Sequence, residues 1–231
     1  MKIGVLALQG AFIEHINTLQ KLKVSAMAVR LPSELEGLDG MIIPGGESTS
    51  ILKIMFDFEL LQPLKKMAEN GLPVWGTCAG MICLAKSISN NGMTSLSVMD
   101  ISVKRNAFGR QVDSFETDLT VPILGSEPFH AVFIRAPIIT RVGKSVAILA
   151  ELPDRTPVAA IQNRVLVTAF HPELTDDPRF HEYFIKMISD KISEGFININ
   201  YRHDVVLKII MIVQYGVMSF IRQVRRHWQR S

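Results

Sequence analysis

The first half of the chain alternates short apolar runs with segments whose apolar residues recur at helical spacing. The run "KIGVLAL" at 2–8 predicts a strand, and "AFIEHINTLQKL" at 11–22 predicts the helix that follows it. Further strands are predicted in "AMAVR", "DGMIIPGGES" and "LPVWGTCAG", with one helix over "TSILKIMFDFELLQPLKKMAENG". Because parallel strands need crossover connections, this alternation predicts an α/β fold whose mainly parallel, open sheet is flanked by helices.

From about Leu96 the pattern changes to closely spaced strands. The predicted strands are "SVMDISVKRN", "FETDLTVPIL", "HAVFIRAPII", "VAILAEL", "PVAAIQN" and "RVLVTAFHPE". A helix is predicted only in "DPRFHEYFIKMISDKISEG" at 177–195. The second half is therefore predicted to be strand-rich, and without repeats or linkers the body is predicted to be one domain.

Composition and charge exclude several classes of protein. With 231 residues, 48% of them hydrophobic and 20% charged, the chain is too apolar for disorder. Residues 196–231 carry six Lys and Arg against one Asp, a charge of +5, so the remainder of a chain with net charge +3 carries −2. The body is not basic, which argues against nucleic acid as its main partner.

The N-terminus and the cysteines indicate a cytoplasmic protein. "MKIGVLALQG" has one lysine before a short apolar run and no cleavage-site pattern, so no signal peptide is expected. Cys78 and Cys83 lie five residues apart, which suits neither a disulfide framework nor a zinc pair.

Three turns follow apolar runs and carry chemically useful residues. They are "PGGES" at 44–48, "GTCAG" at 76–80 and "FHPEL" at 170–174. In open α/β sheets, ligands bind outside the carboxyl ends of the strands. Convergence of these turns at that edge would create an active site.

The turn around Cys78 has the G-x-C-x-G form of a nucleophile elbow. Flanking glycines permit a tight turn from strand to helix, and the helix beginning near Ala79 would favour a thiolate. The alternative is a small buried cysteine whose glycines only serve the turn. Cys83, surrounded by apolar residues, is assigned to the buried face of the helix.

His171 and Glu173 supply the base and the orienting carboxylate that a cysteine nucleophile needs. They lie two residues apart at the end of a strand, so a Cys78, His171, Glu173 triad is predicted. A surface histidine and a metal pair are the alternatives, but no third ligand has suitable spacing, and no metal is predicted.

"IIPGGES" allows three interpretations: a simple β-turn, a weak phosphate loop, or part of an oxyanion hole. It lacks the Lys and Ser/Thr of a P-loop, which argues against nucleotide binding. We favour an oxyanion hole formed by the backbone N–H groups of Gly46 and Ala79.

The motifs together resemble a known family. "PGGES", "GTCAG" and "FHPEL", in this order, resemble the class I (triad) glutamine amidotransferases. "GVLALQGAFIEHI", "IIPGGEST", "WGTCAGMI", "RNAFGRQVDSFE", "VFIRAP" and "AFHPELTDD" are similar to the glutaminase subunits of pyridoxal 5'-phosphate synthase. The resemblance covers about residues 1–192.

The resemblance implies a flavodoxin-like fold and a glutaminase in vitamin B6 biosynthesis. It implies that Cys78 is the nucleophile, that L-glutamine is hydrolysed through a thioester, and that ammonia passes to a synthase subunit in a hetero-oligomer. No cofactor is expected, because pyridoxal phosphate is the product of the complex. The positions implied to contact glutamine are Gly46, Glu47, Ser48, Arg105, Ile134 and Arg135.

The resemblance also implies that the synthase contacts the N-terminal strand and helix. Gln9 and His15 are candidate contacts, although His15 is equally well explained as a half-exposed helix residue. Glu14 is expected to be a solvated charge. The alternative functions are a glutaminase of another pathway and a catalytically silent regulatory subunit.

Residues 193–231 do not match the family and form a C-terminal extension that is predicted to be helical. Val205–Ile221 is a 17-residue apolar run interrupted by Lys208 and Gln214 and followed by arginines. The interpretations are a marginal membrane anchor, a helix packing on this or a partner protein, and a non-native extension from a misassigned reading frame. We favour the last two over a membrane contact.

Overall fold

The structure is a computed structural model of the chain, and it describes residues 1–89, 94–105 and 114–190. One compact unit comprises Met1–Ile188, and a second begins at Ser189. The predicted C-terminal extension lies outside the described residues, as does the part of the "RNAFGRQVDSFE" motif from 106 to 113. The domain boundary expected near residue 192 therefore stays a prediction.

A seven-stranded sheet forms the centre of the first unit, in the order β10-β11-β12-β4-β3-β1-β2. Five adjacent strands, from β12 to β2 in that order, are parallel to one another. Strand β11 is antiparallel to both of its neighbours, β10 and β12. The strands are β1 (Lys2–Leu6), β2 (Ser25–Val29), β3 (Gly40–Ile43), β4 (Val74–Thr77), β10 (Ala147–Glu151), β11 (Pro157–Gln162) and β12 (Val165–Thr168). The predicted mainly parallel sheet is confirmed.

The central strands are buried along their whole length. Every residue of β3, β4 and β12 is buried, and these strands read "GMII", "VWGT" and "VLVT". Such nearly continuous apolar runs are typical of parallel strands covered on both faces.

The helices are α1 (Phe12–Lys21), α2 (Ser48–Asp57), α3 (Leu61–Glu69), α4 (Ala79–Leu84) and α5 (179–190).

Alternating side chains of β4 show that helices cover both faces of the sheet. Trp75 contacts the rings of His15 on α1 and Phe184 on α5. A Cβ on the next residue, Gly76, would instead meet Gly80 of α4. Successive strand residues point to opposite faces, so α1 and α5 lie on one face and α4 lies on the other.

The strand-rich second half also forms two smaller sheets. A three-stranded sheet has the order β5-β6-β9, and β7 pairs with β8 in an antiparallel ladder. These strands are β5 (Ala85–Ile88), β6 (Met99–Lys104), β7 (Ser114–Leu119), β8 (Phe129–Ile134) and β9 (Ile138–Val142). Strand β8 lies near the central sheet, since the carbonyl of Val132 accepts the backbone N–H of His171.

The single helix predicted over residues 49–71 is wrong, because the structure has two helices there. Helix α2 ends at Asp57, and Glu59 takes a left-handed conformation with φ of 57°. The N–H groups of Glu59 and Leu60 bond back to carbonyls of α2, a pattern that closes helices. Pro63 then lies in the first turn of α3, where its missing N–H costs nothing.

Candidate active site

The three chemically distinctive turns lie side by side at the carboxyl edge of the sheet. Strand β4 pairs with β3 on one side and β12 on the other, with Ile43 opposite Gly76 and Thr77 opposite Thr168. The residues that follow these strands therefore emerge together. The convergence that the sequence predicts is present in the structure.

Cys78 occupies a sharp and strained turn between β4 and α4. Its φ of 46° and ψ of −102° are unusual for a residue with a side chain. The backbone N–H of Cys78 donates to the carbonyl of Thr168 at 2.8 Å, which holds the turn against β12. The Sγ atom lies 3.8 Å from the carbonyl oxygen of Ile134. This geometry matches the elbow interpretation better than that of a cysteine packed in the core.

The glycines beside Cys78 are required by close contacts. A Cβ on Gly80 would overlap the carbonyl oxygen of Ile43, and a Cβ on Gly76 would overlap the backbone of Gly80. Strand β4 and helix α4 can therefore approach each other only with hydrogen at these positions.

His171 lies between Cys78 and Glu173. Its Nδ1–H donates to Oε1 of Glu173 at 2.7 Å, and both its side chain and that of Cys78 line one cavity. The three residues are 6–7% exposed, so water screens their interactions only weakly. Pro172 begins a short 3-10 turn, Pro172–Leu174, which places Glu173 beside the ring.

The surroundings of His171 favour its protonated form. Burial lowers the pKa of His171, but hydrogen bonds and charges from Cys78 and Glu173 outweigh it and raise the pKa to about 10. Burial raises the pKa of Glu173, but its interactions with the neighbouring His15 and His171, including the hydrogen bond from His171, reverse this, so its pKa lies below the ordinary value. The site therefore holds an imidazolium beside a buried carboxylate at neutral pH.

Cys78 and His171 open onto a cavity of about 260 Å³. All predicted glutamine contacts line it, and so does Ala79, the second predicted oxyanion donor. Ile82 and Pro137 also line the cavity without having been predicted, and Gln9, predicted only as a candidate contact of the synthase, lines it too. The lining comprises Gln9, Gly46, Glu47, Ser48, Cys78, Ala79, Ile82, Arg105, Ile134, Arg135, Pro137 and His171.

Glu47 and Arg105 form an ion pair at the cavity. Nη2 of Arg105 lies 2.6 Å from Oε1 of Glu47. Partial burial raises the pKa of Glu47, but the backbone N–H of Ser50 and the hydroxyl of Thr49 outweigh it, and the pKa lies below its ordinary value. The cavity therefore presents a carboxylate and a guanidinium next to each other.

The turn after β1 packs tightly against the "PGGES" turn. Oε1 of Gln9 accepts the backbone N–H of Glu47 at 2.8 Å. A Cβ on Gly10 would overlap the carbonyl oxygen of Gly45, so glycine is required there. The backbone N–H of Gly45 in turn donates to Oγ1 of Thr77 at 3.0 Å.

The expectation that His15 is a half-exposed helix residue is wrong. His15 is fully buried, and its ring nitrogens lie near His181, Thr77 and Glu173. It therefore offers no surface to a partner. A signal was present in the sequence: His15 lies three residues after Phe12 and four before Leu19, on the apolar face of α1.

Cys83 and Glu14 have the environments that the sequence predicts. Cys83 is fully buried in α4, and burial raises the pKa of its thiol to about 12. It is an unreactive core residue. Glu14 is exposed.

The described residues contain neither a candidate metal-ion cluster nor a helix that could span a membrane. Within residues 1–89, 94–105 and 114–190, no three His, Cys, Asp or Glu side chains are arranged to hold a metal ion. In the same ranges, no helix combines the length and apolarity needed to cross a bilayer.

The fold and the cavity define the class of this protein. The chain superposes on a crystal structure described as a glutamine amidotransferase, with a TM-score of 0.77 and 48% sequence identity. The superposition covers 81% of this chain and 98% of that one. This protein therefore has the class I glutamine amidotransferase fold.

Sequence comparison then gives the family. Residues 5–190 match the model of the SNO glutamine amidotransferase family, and the chain belongs to that family. It is 58% identical over 192 residues to a protein of Dehalococcoides mccartyi named pyridoxal 5'-phosphate synthase subunit PdxT, covering 82% of this chain and 98% of that protein. A protein of the same name from Herpetosiphon aurantiacus is 59% identical over 188 residues, with coverage of 80% and 99%.

Proposed function

We propose that this protein is the glutaminase subunit of pyridoxal 5'-phosphate synthase. It hydrolyses L-glutamine to glutamate and ammonia and passes the ammonia to a synthase subunit in vitamin B6 biosynthesis. Family membership and the names of its relatives support the pathway and the partner. The observation that carries the chemistry is that Cys78 and His171 line one cavity while His171 is hydrogen-bonded to the buried Glu173.

In the first step the Cys78 thiolate attacks the side-chain amide carbon of glutamine. A carbon–sulfur bond forms, and the carbonyl oxygen becomes an oxyanion that the backbone N–H groups of Gly46 and Ala79 stabilise. Each donor of this kind contributes on the order of 100-fold or more to the rate. His171 then gives its proton to the nitrogen as the carbon–nitrogen bond breaks, and ammonia leaves a glutamyl thioester.

In the second step His171, now neutral, removes a proton from water. The resulting hydroxide attacks the thioester carbonyl, the carbon–sulfur bond breaks, and glutamate leaves. The thiolate and the imidazolium are restored. Glu173 orients the ring through Nδ1 and stabilises its positive charge in both steps, as the acid does in other triads.

The charged ends of glutamine match the charges at the cavity. Arg105 and Arg135 offer donors to the α-carboxylate, since guanidinium groups bind carboxylates through paired hydrogen bonds. Glu47 offers a carboxylate to the α-ammonium group. Ser48 and the backbone of Ile134 complete the proposed contacts. This binding holds the amide carbon near Sγ of Cys78.

The synthase subunit is proposed to contact the segment "LQGAFIEHI" through its exposed residues rather than through His15. Ile13 of α1 is 54% exposed, and Gln9 lines the cavity. Because Gln9 binds the backbone of Glu47, a partner that moves this turn would move the "PGGES" turn with it. The reaction needs no cofactor, and we place the complex in the cytoplasm.

The test is to measure glutamate and ammonia release by the purified protein, alone and mixed with a pyridoxal 5'-phosphate synthase subunit. Activity that rises on mixing and is lost in Cys78→Ala supports the proposal. Activity indifferent to that subunit would indicate a glutaminase of another pathway. Absence of activity in both preparations would indicate a silent regulatory subunit.

A further inference from the structure

Two buried histidines continue the series of polar groups beyond Glu173. Nε2 of His15 lies 3.3 Å from Oε2 of Glu173, and Nδ1 of His15 lies 2.9 Å from Nε2 of His181. Both histidines are fully buried, His15 on α1 and His181 on α5. A continuous line of polar side chains therefore runs from Cys78 through His171 and Glu173 into the core.

Two atoms of this line have unmet hydrogen-bonding capacity. In the part of the chain that the structure describes, Oε2 of Glu173 and Nδ1 of His181 are buried without a hydrogen-bond partner. A buried carboxylate oxygen is costly unless a donor reaches it. Nε2 of His15 lies 3.3 Å from this Glu173 oxygen, and it also forms a hydrogen bond with Oγ1 of Thr77 at 3.3 Å. Glu173 and Thr77 can therefore share a single Nε2–H of His15.

The neighbours of His15 select one of its two neutral tautomers. Burial lowers the pKa of His15 by more than the charge of Glu173 raises it, so the ring carries one proton. If Nδ1 carried that proton, the lone pair of Nε2 would face the carboxylate, and His181 would bury an unpaired N–H. If Nε2 carries it, His15 donates toward Glu173 and accepts the Nε2–H of His181. Only the second arrangement avoids both penalties.

We propose that His15 is a positioning residue for the glutaminase reaction: its Nε2–H holds the second oxygen of Glu173 and thereby fixes the carboxylate that orients His171. His181 fixes the tautomer of His15. The inference rests on the proposed function, because it assumes that Glu173 orients the base. His15 touches neither the cavity nor the reacting atoms.

Thr77 extends this role to the oxyanion side of the site. Its Oγ1 accepts the N–H of Gly45, the residue before the proposed oxyanion donor Gly46. The same Oγ1 bonds His15. One ring on α1 therefore supports the orienting carboxylate and, through Thr77, the turn that carries Gly46. A displacement of α1 would reach both parts of the machinery.

The first measurement is the tautomer of His15 in the full chain, by NMR of the wild-type protein labelled with 15N-histidine. We expect Nε2 to be protonated and Nδ1 to be an acceptor. In His15→Leu, we also expect the downfield Nδ1–H resonance of His171 to shift, because Glu173 has lost a donor. A protonated Nδ1 in His15, or an unchanged His171 resonance in His15→Leu, would overturn the proposal. These measurements need no substrate, so a negative result here can be told apart from a failure of the proposed glutaminase activity.

The second measurement is steady-state glutamine hydrolysis with the synthase subunit present. His15→Leu is expected to lower kcat by about tenfold or more, as when an outer hydrogen-bond partner of a functional side chain is lost, with KM little changed. His15→Gln, whose amide N–H can reach Glu173, should recover most of kcat. Leu19→Ala, which truncates an equally buried residue one turn along α1, should lower stability and leave kcat unchanged. An equal loss of kcat in His15→Gln and His15→Leu would show that His15 acts only by packing.

Discussion

Gly45 lies directly against the ring of His171, so that a Cβ at Gly45 would overlap Cε1 of that ring. This contact places the "PGGES" turn and the proposed base in van der Waals contact. The ring is fixed on one side by the hydrogen bond to Glu173 and on another by the absence of a side chain at Gly45. Its position therefore depends on two turns that are far apart in sequence.

Gly45→Ala is expected to displace His171 and to lower kcat. A misplacement of about 1 Å at an active site costs on the order of 100-fold in rate. Hydrolysis of glutamine in the presence of the synthase subunit measures the effect. Gly71→Ala is the control, because it has φ of 86° but no atom near its added Cβ, so it strains the backbone away from the site. A normal kcat in Gly45→Ala would show that catalysis does not depend on the His171 ring being held in its observed place.

The strained conformation of Cys78 predicts a difference between two inactive variants. Cys78→Ala and Cys78→Gly both remove the sulfur, but only glycine adopts φ of 46° with little cost. We expect the glycine variant to have the larger free energy of unfolding, by about 1 kcal/mol or more. Urea denaturation of the two proteins checks this. A more stable alanine variant, by the roughly 0.4–1 kcal/mol that glycine costs through the unfolded chain, would mean that the turn stores no strain.

Local sequence patterns were sufficient for the central sheet and for the turns at its carboxyl edge. The runs in β3, β4 and β12 are almost wholly apolar, and glycines mark the tight turns after two of them. The Gln9 contact with Glu47 and the ion pair of Glu47 with Arg105 were not predicted, because each joins residues at least 38 positions apart. Such contacts depend on how the strands are ordered in space, which no local pattern contains.

The break between α2 and α3 shows a different limitation. Apolar residues continue at helical spacing through the break, so the pattern predicts one helix. Pro63 was the available signal, since proline belongs in the first turn of a helix rather than in its interior. The prediction that His15 is half-exposed was wrong for another reason. Its position on the apolar face of α1 indicated burial, but its polarity suggested exposure.

Arg135→Ala is expected to raise the KM for glutamine and to change kcat little. A hydrogen bond to a charged group contributes roughly 1.5–3 kcal/mol, which corresponds to about 10- to 150-fold in KM. Alanine retains a Cβ, so the strain of φ 43° at this position is unchanged and only the guanidinium is lost. Arg141→Ala is the matched control, because Arg141 pairs with Asp100 on strands β9 and β6 and does not line the cavity. If both variants bind glutamine alike, Arg135 is not a substrate contact.

The buried pair His15 and His181 predicts that acid destabilises the protein from about pH 6.5 downward. Burial lowers the pKa of both rings, with Glu173 acting in the opposite direction on His15 and the neighbouring His15 acting further downward on His181. In the unfolded chain each histidine takes up a proton near pH 6.5, whereas in the folded chain it does so only at lower pH. Stability therefore rises with pH below 6.5, with a slope of up to about 1.4 kcal/mol per pH unit for each ring, and becomes independent of these groups above it.

His171 acts in the opposite direction. Because its pKa is raised to about 10, its stabilising contribution is complete below about pH 6.5 and is lost as the pH rises toward 10. Urea denaturation between about pH 5 and pH 6 reports mainly on His15 and His181, because His171 is then largely protonated in both the folded and the unfolded state. His181→Phe removes one buried histidine while keeping an aromatic ring against Trp75. Its stability should fall less steeply with acid than that of the wild type, whereas parallel curves would mean that His181 is protonated in the folded protein.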